Sequence, residues 1–451
     1  MALDLAYGLL TCLGRHTITG MLTTRGRQFV DWSCAYRLFG KNRVDTGELF
    51  KVARQGVLDQ LPKDAMIIVH MDDTIIRKSG KKVPGTSWRR DPLSPAFHTN
   101  FIWGQRFIQI SMALPDGAAN CQSRAIPIDF HHCPTVKRLG KDADTSQINH
   151  FKEQKKIARL SKQGALRIES LRNQLDEQGV KERTLYVSVD GSYSNATVLK
   201  SLPARTVLIG RIRKDTKLYG FPIQEKQTGR KKVYGQRLPT PEQIRQEDQA
   251  PWQLVNAWAA GKSHEFKVKV VRDVRWRSAG ESHDLQLVII KALSYRLTAS
   301  SRLLYREPAY LICTDNGLSI EKLIQTYLWR WEIEVNFRDE KTLLGCGEAQ
   351  VRNPDSAEKV PAFTVATYSL MHLAAHSTFK EKDESILPRS KWDPPKENQR
   401  LSTNEITNLL RAQLWSQSTG TSFSGFIKNQ HQTQSQRNSS EPQFAPFYVR
   451  K

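Results

Sequence analysis

The stretch Tyr327-Leu-Trp-Arg-Trp-Glu-Ile-Glu-Val-Asn-Phe-Arg-Asp-Glu-Lys341 carries the most distinctive pattern in this sequence. It contains no Gly or Pro, and Ser319 upstream is a typical helix N-cap, so we predict a single helix through this stretch. At roughly 100° per residue, one carboxylate then shares a stripe of the helix with cations and aromatic rings. The residues concerned are Tyr327, Arg330, Glu334 and Lys341, with Arg338 and Trp331 at the flank. A neighbouring apolar stripe of Ile333, Phe337 and Leu344 is predicted to dock on a core.

Charge pattern alone would fit a solvated salt-bridge face, but the spacing of these residues is more specific. Two residues separate Tyr327 from Arg330, three separate Arg330 from Glu334, and six separate Glu334 from Lys341. This pattern resembles the Tyr-Arg-Glu-Lys signature of one branch of bacterial insertion-sequence DDE transposases. That resemblance implies that Glu334 is the third catalytic metal ligand. It also implies that Tyr327, Arg330 and Lys341 bind transposon-end DNA, with Arg338 as a further contact. Trp331 is either a base-stacking residue or a core tryptophan, and the sequence leaves both open.

The charge of the chain indicates a polyanionic partner. Its 451 residues include 68 Lys and Arg against 45 Asp and Glu, a net charge of +23. The basic residues are spread along the chain, which favours an extended nucleic-acid surface over a single basic tail. Charge alone would also fit a basic protein that binds nucleic acid without specificity.

The cysteines and the hydropathy pattern indicate a cytosolic protein with free thiols. The six cysteines show no Cys-x-x-Cys spacing. His131-His132-Cys133 lacks a second ligand pair, so we do not predict a zinc site there. Asp4 and the missing basic n-region argue against a signal peptide, and no apolar run approaches the ~20 residues that span a bilayer. The resemblance implies a bacterial cytoplasmic protein that acts at the nucleoid.

Two adjacent acids end the first predicted strand, Ala65-Met-Ile-Ile-Val-His-Met-Asp-Asp-Thr74. Acids at a strand end are often turn-formers, but a carboxylate there can also face a metal ion. The resemblance implies that one of them is the first catalytic Asp. Neighbours on a strand point to opposite faces, so the choice between Asp72 and Asp73 depends on register. We take Asp72 as the ligand and keep Asp73 as the alternative.

The second acid-terminated strand is Leu185-Tyr-Val-Ser-Val-Asp-Gly-Ser192. Alternation places Asp190 on the same face as Ser188, and Gly191 permits a sharp turn directly after the acid. A strand ending in Asp-Gly is also a common plain turn. Taken with the other acids, Asp190 is the candidate for the second catalytic Asp of the resembling family.

The predicted fold class is α/β, a ribonuclease-H-like (RNase H-like) catalytic core interrupted by a β-rich insertion domain, with an N-terminal helical region. Long sheet-like sequence lies between Asp190 and Glu334, where a minimal nuclease fold would go directly to its last helix. The resembling branch has an insertion at this place. We predict an N-terminal helical DNA-binding region, a first core part, the insertion, a second core part with the signature helix, and a polar C-terminal tail suited to dimerisation. The boundaries are 1–60, 61–210, 211–317, 318–377 and 378–451.

Smaller features complete these expectations. The N-terminal region, with predicted helices at Leu3–Leu13 and Phe29–Leu38, either recognises DNA or forms a basic cap on the core. We predict two strands from Phe97 to Leu114 joined by a turn, a long amphipathic helical region over 145–179 and a basic loop over 226–232. An apolar helix over 360–376 is expected to pack behind the signature helix, and the polar tail is expected to be loosely ordered.

Three such acids are well suited to catalyse phosphodiester cleavage. Paired Mg²⁺ (or Mn²⁺) ions activate the attacking oxygen and stabilise the leaving oxygen, and these hard ions prefer carboxylate ligands. The resemblance implies a DNA transposase that binds terminal inverted repeats as a homodimer on double-stranded DNA, cuts it, and joins the 3′-hydroxyl to target DNA. The alternatives are a transposase-derived DNA-binding protein without activity and an RNase H-like nuclease without strand transfer.

Overall fold

The structure is a computed structural model of the chain. It describes residues 1–95, 97–116, 122–222, 232–248, 250–259, 261–280, 283–295, 301–379 and 400–419. Every helix in this described part is too short or too polar to cross a lipid bilayer.

The chain forms a mixed α/β fold in which helices cover a large mixed sheet. The helices are α1 (Ala2–Thr11), α2 (Ile18–Thr24), α3 (Ser33–Gly40), α4 (Thr46–Gln60), α5 (Thr145–Ile157), α6 (Leu160–Glu177), α7 (Ala196–Leu199), α8 (Pro241–Gln246), α9 (Ile320–Trp329), α10 (Trp331–Thr342), α11 (Pro354–Phe379) and α12 (Thr403–Thr419). The strands are β1 (Ile67–Arg77), β2 (Ser87–Arg90), β3 (Phe101–Asp116), β4 (Gln122–His132), β5 (Leu185–Val189), β6 (Thr206–Arg211), β7 (Gln253–Ala259), β8 (Lys262–Val274), β9 (Leu285–Ile290), β10 (Leu293–Tyr295), β11 (Leu304–Arg306) and β12 (Ala309–Cys313).

The main sheet has the strand order β2-β3-β1-β5-β6-β12-β9-β8-β7, and β4 also pairs with β3. The neighbours β1, β5 and β6 are parallel, whereas the other pairs are antiparallel. β5 is apolar and almost wholly buried, as expected for a central parallel strand covered on both faces. This mixed sheet with its helices is consistent with the RNase H-like fold that the sequence predicts.

The strand that carries the first acids runs further than predicted. β1 continues to Arg77 because its second half pairs with β3 after its parallel partner β5 has ended. Asp72 and Asp73 therefore lie in mid-strand. The two strands predicted between Phe97 and Leu114 are also one strand, β3, because its residues pair continuously with β1 and β4.

The helical predictions need two similar corrections. The signature stretch is not a single helix: α9 ends at Trp329 and α10 begins at Trp331. Between them the Arg330 amide bonds the carbonyl of Tyr327, and the Arg330 carbonyl accepts from Ile333, so the chain tightens to a three-residue repeat. The region 145–179 likewise contains two helices, α5 and α6, separated at Ala158 and Arg159.

The N-terminal region is helical and packs on the core. Residues 1–60 contain α1 to α4, and the helix predicted from Phe29 begins only at Ser33. Phe39 of α3 packs edge-to-face on Phe363 of α11, and Val57 of α4 lies in the main core. The region thus packs on the core, while its delimitation as a domain and its role in DNA recognition stay predictions.

The predicted insertion, 211–317, is rich in strands that extend the main sheet. β12 joins β6 of the first core part, and β9, β8 and β7 follow outward. Among the described residues, only the β10–β11 hairpin of this segment forms a separate sheet. The delimitation of the segment as a domain remains a prediction. Of the predicted basic loop 226–232, all but Lys232 lies outside the described residues.

The C-terminal segments correspond in part to expectation. The apolar helix predicted over 360–376 is the inner part of α11, and its Tyr368 hydroxyl donates to Asn336 of α10. The predicted polar tail contains the helix α12, whose Ile406 is buried in a cluster with Tyr368. This part of the tail is therefore ordered, contrary to the prediction. The tail residues 380–399 and 420–451 lie outside the described residues.

Candidate active site

The register of two parallel strands brings Asp72 and Asp190 together. Met71 of β1 is paired with Val189, the last residue of β5. The next residue on each chain is an aspartate, so Asp72 and Asp190 follow side by side, about one strand spacing apart. Ser192 donates from its amide and its hydroxyl to the Asp190 carboxylate and thereby orients it at the turn.

Arg330, at the break between α9 and α10, connects Asp72 with Glu334. Its Nη1 donates to Asp72 Oδ2 at 3.1 Å, and its Nη2 donates to Glu334 Oε1 at 3.3 Å. The guanidinium is mostly buried, and its Nε has no hydrogen-bond partner among the described residues. A single cation thus lies between an acid of the sheet and an acid of the signature stretch.

The two neighbouring aspartates leave negative charge only partly compensated. Burial and, to a smaller extent, the charge of Asp190 raise the pKa of Asp72 to about 7, against the opposing effect of Arg330. His70, two residues before Asp72, is fully buried, and this burial lowers its pKa to about 3. The histidine is therefore neutral and adds no positive charge near the acids.

Asp73 lies on the opposite face of β1 with partners of its own. Arg106 Nε lies 3.3 Å from Asp73 Oδ2, and the Tyr193 hydroxyl donates to Asp73 Oδ1 at 3.1 Å. Burial raises the pKa of Asp73, while Arg106 and Tyr193 oppose that shift. Arg106 and Tyr193 were not among the site residues predicted from the sequence.

A buried polar network orients α10 on the Asp72 face of the sheet. Asn336, two residues after Glu334, donates to Ser111 Oγ at 3.2 Å and to the Ala125 carbonyl at 3.0 Å. Gln109, the register partner of Asp72, bonds Ser111 and also Glu340. This network fixes the rotation of α10 about its axis. Its sequence signal is the polar alternation in Gln105, Gln109 and Ser111 within an otherwise apolar strand.

The other residues of the signature occupy different environments. Lys341 Nζ donates to Thr74 Oγ1 at 2.6 Å, and burial lowers the pKa of this lysine. Tyr327 is partly buried, with the Arg330 guanidinium 5.8 Å from its ring centre. Arg338 is exposed and pairs with Asp339 at 2.9 Å. Trp331 is 62% exposed, which rules out the core position that the sequence left open.

A groove of about 1000 Å³ is lined by Tyr327, Arg330, Trp331 and Arg338, but not by Lys341 or Glu334. Tyr327, Trp329 and Trp331 contribute aromatic rings to its wall. More cations than acids line this groove. The cations are Arg124, Arg211, Lys291, Arg306, Arg330, Arg338 and Arg400, and the acids are Glu307, Glu332 and Asp339. Cations interleaved with aromatic rings suit a nucleic-acid strand, whose phosphates and bases they contact respectively.

The acids fit a divalent cation in their chemistry but are not arranged as a finished metal site. Carboxylate oxygens are the ligands that Mg²⁺ prefers, and Asp72 and Asp190 follow side by side after Met71 and Val189, the last pair in the β1–β5 register. Among the described residues, however, no group of three or more His, Cys, Asp or Glu side chains is placed to hold a metal ion. Glu334 contacts Arg330, which supplies the positive charge between it and Asp72.

The comparison with protein families identifies the class of the chain. The sequence profile described as DDE superfamily endonuclease matches residues 1–282, more than half of the chain. The chain therefore belongs to the DDE superfamily endonucleases, which generally use divalent metals and act on DNA. The match includes Asp72, Asp73 and Asp190 and ends before Glu334. No curated protein matches the chain.

Proposed function

We propose that this endonuclease is a DNA transposase of the insertion-sequence branch with the Tyr-Arg-Glu-Lys signature. It would bind terminal inverted repeats as a homodimer, cleave the DNA, and join the 3′-hydroxyl ends to target DNA. The observation that carries the proposal is the convergence at Arg330, which contacts both Asp72 and Glu334 while Asp190 lies beside Asp72. Residues far apart in the sequence thus meet at one end of the parallel strands.

In this proposal Asp72, Asp190 and Glu334 hold Mg²⁺ or Mn²⁺ ions. When bound, these ions would activate the attacking oxygen and stabilise the leaving oxygen. Arg330 is already placed beside the acids, and its planar guanidinium can grip a phosphate with two hydrogen bonds. If Arg330 exchanged its carboxylate partners for a DNA phosphate, it would draw the scissile phosphodiester toward the acids. Tyr327, Lys341, Arg338 and Trp331 are the further DNA contacts that we propose.

One observation favours a second candidate, a DNA-binding protein without activity. Arg330 forms ion pairs with both Asp72 and Glu334, and the described acids do not form a three-ligand group. If that arrangement persists on DNA, the acids serve only to position Arg330. A nuclease without strand transfer would use the same acids.

A cleavage assay on end-labelled repeat DNA with Mg²⁺ separates these functions. Joined product supports the transposase, cut ends alone indicate the nuclease, and uncut but bound DNA indicates the binder. Glu334→Gln is expected to reduce cleavage about 10³-fold, because a lost metal ligand removes several kcal/mol of transition-state stabilisation. DNA affinity should stay within about threefold, since the ligand does not contact the backbone in this proposal.

Glu321→Gln is the matched control. Glu321 is exposed in the first turn of α9 and does not line the groove. Its cleavage rate is expected to stay near wild type. Cleavage that survives in Glu334→Gln, or falls equally in both variants, would remove Glu334 from the metal site.

A further inference from the structure

Residues 134–159, here called the arm, connect β4 to α6 and extend into solvent. They comprise an exposed loop followed by α5, a helix that is described throughout and has no buried residue. A capping box between Asp144 and Gln147 stabilises its first turn and compensates in part for the missing burial. Below α5, a cavity of about 1170 Å³ separates the helix from the body of the protein. A helix of this length without a buried face is marginal alone, so contact with a partner would stabilise it.

The outward face of α5 is basic. The side chains of Gln147, His150 and Gln154 line the cavity below the helix. At 100° per residue, Lys152 and Lys156 lie on the opposite face. Over the whole arm, basic residues outnumber acidic ones. The basic residues are Lys137, Arg138, Lys141, Lys152, Lys155, Lys156 and Arg159, and the acidic ones are Asp142, Asp144 and Glu153. Such a surface is complementary to a polyanion.

Both ends of the arm are anchored beside Asp73. At the first end, His131 of β4 is paired with Ile108 of β3, and Ile108 is paired with Asp73 of β1. The arm therefore begins at the level of the acids, about 10 Å away across two strand spacings. At the second end, Gly164 of α6 packs so closely on the Tyr193 ring that a Cβ there would lie 2.7 Å from it. The hydroxyl of the same tyrosine donates to Asp73.

The second anchor is fixed to the first by an ion pair. Arg167 of α6 donates through Nε and Nη2 to both carboxylate oxygens of Asp129 on β4, at 2.7 and 2.6 Å. This bidentate pair joins β4 and α6, the two elements from which the arm projects. The arm is thus held rigidly at its base and exposed along its length.

We propose that the arm is a clamp for the backbone of duplex DNA, with Lys152 and Lys156 contacting phosphates. This inference rests on the proposed function, because it takes DNA as the substrate that the neighbouring acids cut. DNA is favoured over a second protein copy because the outward face is basic, and like charges would oppose the pairing of two such faces. The arm adds a contact surface outside the signature residues.

The test measures duplex affinity by fluorescence anisotropy over a range of salt concentrations. The variant Lys152→Gln/Lys156→Gln is expected to bind about tenfold or more weakly near 0.1 M salt, with a salt slope smaller by about 2. The matched control is Lys63→Gln/Lys181→Gln. Both control lysines are exposed and precede β1 and β5, so they lie at the end of the parallel strands opposite the acids. The control should retain wild-type affinity and slope.

Several outcomes distinguish this inference from the proposed function. Unchanged affinity and slope in the arm variant would overturn the clamp, even if wild-type protein cleaves DNA and Glu334→Gln does not. A loss confined to the arm variant in a protein that never cleaves would support the clamp and refute the enzyme. Equal losses in both lysine pairs would show only non-specific attraction, and the clamp would be wrong. Sedimentation should give one association state for wild type and arm variant, and a shift to monomer with unchanged DNA affinity would mean that the arm binds a second copy.

Discussion

The adjacent aspartates of β1, Asp72 and Asp73, lie on opposite faces of the strand and in different environments. Asp72 faces α10 and the charge of Asp190, while Asp73 faces α6 and has Arg106 and Tyr193 as its partners. Burial raises the pKa of both groups, and for Asp72 it reaches about 7. The difference lies in the neighbours, since Asp73 is compensated by a cation and a hydroxyl, whereas Asp72 shares Arg330 with Glu334 and lies next to another acid.

This difference indicates separate roles for the two residues. A carboxylate that is paired with its own fixed partners contributes to the structure, whereas Arg330, the side-chain partner of Asp72, is shared with Glu334. A carboxylate next to a second acid is stabilised by any cation that enters the site. We therefore favour Asp72 as the metal ligand and Asp73 as the residue that holds β1, α6 and the base of the arm together.

Replacing each aspartate by asparagine should give the largest contrast. We expect Asp72→Asn to lower cleavage of repeat DNA about 10³-fold or more, because a neutral amide is a poor ligand for Mg²⁺. Asp73→Asn should cleave within about tenfold of wild type but unfold more easily, because Arg106 loses its buried partner. Cleavage rates at saturating DNA, together with urea unfolding, measure both effects. If Asp73→Asn removes cleavage and Asp72→Asn does not, the assignment of the two faces is reversed.

We expect the stability of the protein to depend on pH through Glu340 of α10, on the Asp72 face of the sheet. This side chain is 1% exposed, and burial raises its pKa to about 8, above the ordinary 4.5. The folded protein therefore keeps the proton between these values while the unfolded chain releases it. The stability that this proton supports is fully present below about pH 4.5 and is lost as the pH rises through about 8.

Glu340→Gln should abolish that dependence, since an amide cannot ionise. From pH 5 to pH 8 the free energy of unfolding of the wild type should fall by a few kcal/mol relative to the variant, measured by urea titration at each pH. Glu169→Gln, an exposed change on α6, is the control and should follow the wild type. Parallel curves for wild type and Glu340→Gln would mean that Glu340 is ionised when folded.

Much of this site follows from local sequence patterns. β5 ends at Val189 directly before Asp190, as its apolar alternation predicts. The signature residues Arg330 and Glu334 are i and i+4, and they do contact each other. These features depend on residues that are close in the chain, where propensity and periodicity are informative.

The remaining features depend on pairing between distant segments. The register that places Asp72 beside Asp190 is a property of two strands, and the sequence of either strand alone is compatible with several registers. The break at Arg330 could not be expected from a stretch without Gly or Pro. It places the guanidinium toward β1, so the contact with Asp72 prevails over regular helix geometry. Arg106 and Tyr193 carry no local pattern that marks them as partners of an acid.

The smallest predicted effect tests whether Asp73 is structural. Tyr193 is fully buried, and its hydroxyl donates to Asp73 Oδ1 at 3.1 Å. Tyr193→Phe keeps the ring against Gly164 and removes only this donor. The free energy of unfolding should fall by about 1–3 kcal/mol because a buried carboxylate oxygen loses its partner, while the cleavage rate stays near wild type. Tyr186→Phe is the matched control, since its hydroxyl lies 3.5 Å from Asp315, at the limit of a hydrogen bond, and its loss should cost less than about 0.5 kcal/mol. If Tyr193→Phe instead lowers cleavage strongly at unchanged stability, then the Asp73 face takes part in the chemistry, and the division between the two faces of β1 fails.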